Sequence, residues 1–158
     1  MLLAIYLNDH LAGATVAREL ARRAAASNRD TAYGAFLERL AREIEEDRVA
    51  LEAIMRELDV RVDRFKVAAA WGAEKLGRLK LNGRVLGYSP LSRVIELEGL
   101  TLAVHGKLGL WRTLAELKPT LRGLAQVDLA VLTERAERQL EQLEQHDLRS
   151  ASEAFARS

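Results

Sequence analysis

The 158-residue chain contains no cysteine. That excludes a disulfide framework, a thiolate metal site and a cysteine nucleophile, and it fits a reducing compartment. Proline occurs twice, at Pro90 and Pro119, so long stretches are free of the residue that most strongly breaks helices. Aromatic residues make up 5%, which leaves aliphatic and small side chains to build the core. There is no long apolar run. Met1 to Leu7 is apolar, but Asn8-Asp9-His10 interrupts it and no basic region accompanies it. Neither a signal peptide nor a transmembrane segment is expected, and a cytoplasmic location is.

What is present favours helices. Hydrophobic residues make up 49% and charged residues 30%, with Ala, Leu, Arg and Glu prominent. A chain of this length can bury a substantial core, so one domain over residues 1–158 is expected. Apolar residues recur at three- and four-residue spacing over about 2–26, 32–58, 91–117 and 121–154. Asp30 or Thr31 is placed to cap the second of these helices, and Ser89-Pro90 opens the third with a capping residue and a first-turn proline. Short turns make the first and last pairs antiparallel hairpins. The connection over 59–90 is longer. It carries its own helical pattern from Arg64 to Leu79, with Phe65, Ala69, Gly72 and Leu76 in phase, and a looped return through Lys80–Gly87. Two hairpins joined by such a crossover form an all-α four-helix bundle whose second and third helices run parallel.

Two apolar stripes carry a polar exception. The first helix reads Leu3, Tyr6, His10, Gly13, Ala17, Leu20 and Ala24, and the second reads Tyr33, Leu37, Leu40, Ile44, Asp47, Leu51, Ile54 and Leu58. A turn at Asn28-Arg29 sets Leu20 against Leu37, Ala17 against Leu40 and His10 against Asp47. A buried polar group without a partner costs roughly 1–3 kcal/mol, so a His10–Asp47 pair is expected to fix the helix register. The same pair is the start of a candidate metal or acid–base site, with Glu43 at the stripe margin and Glu98 and His105 flanking the third helix's stripe. Glu96 faces away in this phase, and His146 sits on a polar, solvated stretch.

Two hairpins, a long crossover and polar residues in the core resemble the ferritin-like superfamily. The resemblance covers nearly the whole chain. It implies a ferritin-like bundle, and in metal-binding members a Glu on helices one and three and a Glu-x-x-His on helices two and four. This chain departs from that pattern. Helix one offers Asp9 and His10, helix two offers Glu43-Ile44-Glu45-Glu46-Asp47 without Glu-x-x-His, and helix four places Ala136 inward between Glu134 and Glu137. The expectation is a structural or interaction protein without a complete di-metal centre and with no cofactor. The alternative is a metal-binding or oxidase-type member with a reduced ligand set, His10, Glu43, Asp47, Glu98 and His105, for Fe, Mn or Zn.

The net charge of +1 conceals an asymmetry. Val60 to Ile95 holds eight basic residues against Asp63 and Glu74, a surplus of six that leaves the rest of the chain at −5. The basic crossover can complete a mixed surface over acidic helices or take an anionic partner such as nucleic acid. Gly72, Gly77, Gly83 and Gly87 lack the spacing of a phosphate loop and read as turn positions. Trp71, Trp111 and Tyr88 read as core or interface anchors. The third helix is apolar on more than one side through Leu102, Leu110, Leu114 and Leu117, with Gly106 and Gly109 allowing close approach. That second side is expected to be covered by the crossover or by another chain, and a homodimer is expected.

Overall fold

The computed structural model describes residues 2–69 and 88–156. Among them there is no strand. Four long helices pack together: α1 (Leu2–Ser27), α2 (Gly34–Glu57), α3 (Pro90–Leu117) and α4 (Leu129–Phe155), with a short 3-10 turn at Arg122–Leu124. The second half of the expected crossover lies outside the described residues. With it go Trp71, the four glycines from Gly72 to Gly87, and Lys75, Arg78, Lys80 and Arg84 of the basic surplus. The crossover's beginning is described, and residues 64–69 are helical. Asp63 caps them, its Oδ1 accepting from the backbone N–H groups of Phe65 and Lys66.

Local chemistry sets the helix ends. Ser89 accepts from the Ser92 backbone N–H at 3.2 Å and Pro90 occupies the first turn of α3, as expected from sequence. At the end of α2 the chain leaves through Asp59, at a φ of 54°. There Asp59 donates to Arg56 O at 3.1 Å and Val60 to Met55 O at 2.8 Å, the paired bonds of a Schellman stop. Two ends differ from expectation. Neither Asp30 nor Thr31 caps α2. The turn tightens around Asn28, with Thr31 Oγ1 donating to Asn28 O at 2.8 Å, and the helix starts later, at Gly34. A Cβ on Gly34 would lie 2.5 Å from Arg29 O, so the close turn requires glycine. The last helix begins at Leu129 rather than Leu121, because Asp128 caps it through the Val131 N–H. The preceding loop presses Gly123 onto the end of α2, where a Cβ would lie 2.3 Å from Glu57 O.

α1 packs on both α2 and α3, and α3 packs on α4. Cross-helix partners give direction and register. Tyr6 with Thr113, Leu20 with Gly99 and Arg23 with Glu96 make α1 and α3 antiparallel. Arg112 with Glu137 and Arg93 with Glu153 do the same for α3 and α4. α2 meets α4 through long side chains, Arg39 reaching Gln142 and Gln139 reaching Glu43. Leu7, Leu11, Leu37, Leu51, Leu100, Leu114 and Trp111 lie wholly or almost wholly buried where these helices meet. Each such leucine contributes about 1.5–3 kcal/mol by leaving water.

Two buried asparagines hold the ends of the crossover to α1. Asn8 donates to Arg61 O at 3.0 Å and accepts from the Asp63 N–H at 2.6 Å. Asn28 donates to the Tyr88 hydroxyl at 2.6 Å and accepts from Arg93 Nε at 2.7 Å. Tyr88 in turn donates to Glu96, which also pairs with Arg23 at 2.8 Å. Glu96 is therefore buried and paired, not turned outward. Burial pushes the Tyr88 phenol up to about 12, and the neighbouring Glu96 carboxylate adds to the rise against the hydrogen bond from Asn28.

Candidate functional site

Asp47 stands on the core face of α2, as its phase requires, but its partners are not the expected one. The turn after α1 is longer than Asn28-Arg29, and α1 slides along α2 until Arg18 lies beside Glu45. In that register His10 sits level with Ala53. The buried face of α1 is also different: Leu7, Leu11, Ala21 and Ala25 lie inside, while His10 is half-buried and Gly13 exposed. A helix with neighbours on two sides buries the arc between them. His10 packs edge-on against Tyr6, ring centroids 4.5 Å apart, and burial lowers its pKa against the opposing charge of Asp9.

The partner of Asp47 is Lys107 of α3. Its Nζ lies 2.5 Å from Asp47 Oδ2 and 2.5 Å from Gln139 Oε1 of α4. Gln139 Nε2 donates to Glu43 at 2.8 Å. Arg135 Nη1 donates to Asp47 Oδ1 at 3.2 Å and to Glu46 at 2.9 Å. Three helices thus meet through a connected polar network in which both Asp47 oxygens are taken. Burial pulls the Lys107 ammonium below the ordinary lysine range, and the Asp47 carboxylate opposes that pull.

Beside this network a cleft of about 320 Å³ lies among α1, α2 and α3. Its walls are Tyr6, His10, Ala14, Ala17, Ile44, Leu51, Val104, Leu110 and Trp111, with Asp47 and Lys107 also lining it. The register of α1 on α3 brings Gly13 opposite Gly106, and both line the cleft. A Cβ built on either glycine would meet nothing within 4 Å. Mid-helix glycine costs about 1 kcal/mol relative to alanine, and here no close packing requires it. What the two glycines do is leave a window in the α1–α3 contact. Arg48, also on the wall, is held by Glu45 at 3.1 Å and Glu52 at 2.7 Å, so its charge is met within its own helix.

The five sequence-derived ligand candidates do not come together. Asp47 is engaged by Lys107 and Arg135, Glu43 by Gln139, and His10 lies along the cleft wall. Glu98 and His105 are exposed on the outer side of α3. Among the described residues, no group of three or more His, Cys, Asp or Glu side chains is arranged to hold a metal ion. His146, read as solvated, stacks on Phe36 with centroids 3.9 Å apart and bonds to Gln142 O through Nδ1. Leu110 and Leu114 are buried by the chain's own helices, which leaves Leu102 as the exposed leucine of the expected second face. Lys107, Arg135 and Gln139 were the members that sequence reasoning missed. Their signal was phase: Lys107 falls between Val104 and Trp111 on the core side, and Gln139 falls between Ala136 and Leu140.

No protein-family model, curated protein or solved structure matches this chain. Among the described residues no helix is long and apolar enough to cross a membrane.

Proposed function

We propose that this protein is a ferritin-like four-helix bundle whose polar centre is an ion-pair network in place of a di-metal site. In this reading it works as a binding protein, taking a small, largely apolar molecule into the cleft behind Gly13 and Gly106. The observation that carries it is the window itself. Two helix-interior glycines face open space above a pocket of about 320 Å³, which lies at the small end of the range of ligand sites, and apolar walls converge there on one polar pair. A ligand would bury its apolar body against Ile44, Leu51, Val104 and Leu110 and turn its polar group toward Lys107 and Asp47. Among the described residues no nucleophile–base–oxyanion arrangement accompanies the pair, and binding rather than turnover is the function proposed.

The alternative is a metal-binding member with reduced ligation. The ammonium of Lys107 supplies the positive charge that buried carboxylates would otherwise draw from a metal, and this favours the metal-free reading. Titration with the apolar fluorophore 1-aminoanthracene tests the proposal. Saturable binding at one site per chain is expected, lost in Gly13→Leu and Gly106→Leu, whose side chains enter the cleft. Equal binding by wild type and both variants, or no binding by wild type, overturns it. Metal analysis after growth with iron, manganese and zinc separates the alternative: one tight equivalent per chain would favour it.

A further inference from the structure

The outer face of α3 is unlike the rest of the surface. Leu91, Ile95 and Leu102 are 50%, 52% and 74% exposed and follow one another along a single stripe. The α3–α4 register brings Leu148, 71% exposed, level with Glu98 beside that stripe. Gly109 continues the stripe, and a Cβ there would meet nothing within 4 Å. Scattered exposed leucines need no explanation, but three large apolar side chains aligned on one helix face do.

The polar groups on this face are the informative ones. Many acidic side chains elsewhere are paired: Asp9 with Lys66, Glu45 and Glu52 with Arg48, Glu96 with Arg23, Glu137 with Arg112, and Glu153 with Arg149. On this stripe Glu98 and, beside it on α4, Asp147 have no basic side chain within ion-pair distance among the described residues. Asp147 is held above the usual carboxylate range by burial and by the charge of Glu98. His105, two turns along from Glu98, is exposed and has no partner among the described residues.

The spacing is self-complementary. If a second α3 lies antiparallel across the first with Leu102 on the two-fold axis, positions equally far from Leu102 in opposite directions meet. Ile95 then faces Gly109 of the other copy, and Glu98 faces the His105–Gly106 turn. An isologous contact makes each such pair twice. We infer that a second copy of this chain docks antiparallel on the outer face of α3, with Leu102 packed on its own symmetry mate and Glu98 paired to His105 across the interface. Glu98 and His105, each without a partner among the described residues, complete one another, and the glycine admits the isoleucine. This goes beyond the cleft reading and does not depend on it.

Sedimentation equilibrium of the full chain tests the inference, with far-UV circular dichroism to verify that each surface variant folds. Wild type should be a dimer, and Leu102→Glu, which sets two carboxylates on the axis, should be monomeric at the same concentration. Glu98→Lys and His105→Glu should each raise the dissociation constant at least tenfold, and the double exchange should return it to within about threefold of wild type. A wild-type monomer at every concentration overturns the interface, as does a dimer indifferent to Leu102→Glu. Failure of the double exchange to restore affinity overturns the Glu98–His105 register.

Discussion

Lys107 and Asp47 approach to 2.5 Å from different helices, with Lys107 at 14% and Asp47 at 2% side-chain exposure. A buried ion pair of this kind contributes little over an apolar pair of the same shape, yet losing one member leaves the other charged and unmatched. Asp47→Ala is therefore expected to lower stability by about 3–5 kcal/mol, read from urea unfolding. Asp47→Leu combined with Lys107→Met should recover much of that loss. A unchanged urea midpoint for Asp47→Ala would show that the network does not hold the three helices together.

The same chemical change should have opposite signs at different glycines. Gly13→Ala and Gly106→Ala add a methyl group to open space in helix interiors, so each should stabilise by up to about 1 kcal/mol. Thermal unfolding should register each as a rise of roughly 2–4 °C for a chain of this size.

Gly123→Ala should behave in the contrary way. Its new methyl would lie 2.3 Å from Glu57 O, so the loop must lift from the end of α2. A loss of about 1–3 kcal/mol is expected, the usual scale for forced overpacking. A stabilised Gly123→Ala protein would contradict the packing of that loop.

Tyr88 predicts an alkaline transition. Its folded pKa is raised to about 12 from the ordinary 10, so the protonated phenol stabilises the fold fully below pH 10. That contribution is lost as pH climbs from 10 through 12. Ultraviolet titration should show a late phenolate component with a midpoint near 12 that Tyr88→Phe removes. The variant's stability should also fall less steeply across that window than the wild type's.

How much of this was legible in the sequence differs from helix to helix. The stripe on α2 is buried along nearly its whole length, from Tyr33 to Ile54, because the charged residues of α2 gather away from it and the flanking Phe36 and Met55 widen the same inner face. α1 is apolar on two sides, and the choice between Tyr6-His10-Gly13 and Leu7-Leu11-Ala21 was decided by contact with both α2 and α3. Asp47 was recognisable as an inward carboxylate. Its partner was not, since the shifted register of the first hairpin takes His10 past Asp47, and a lysine is usually read as a surface residue even when its phase is inward. The late start of α4 had a local sign in Asp128 before Leu129, but the seating of Gly123 on α2 is a tertiary contact that periodicity cannot report.

The contacts that seat α1 on α3 join distant parts of the chain. Tyr6 and Thr113 are 107 positions apart and Arg23 and Glu96 are 73 apart, whereas the α1–α2 turn closes within a few residues of Asn28. Loop closure over such separations is what slows folding, so each hairpin can form quickly on its own while their meeting is the late step. The window between Gly13 and Gly106 comes into being only at that step. A molecule bound there, as proposed, would clamp the two hairpins together, and its main kinetic signature would be slower unfolding, with refolding of the separate hairpins left unchanged.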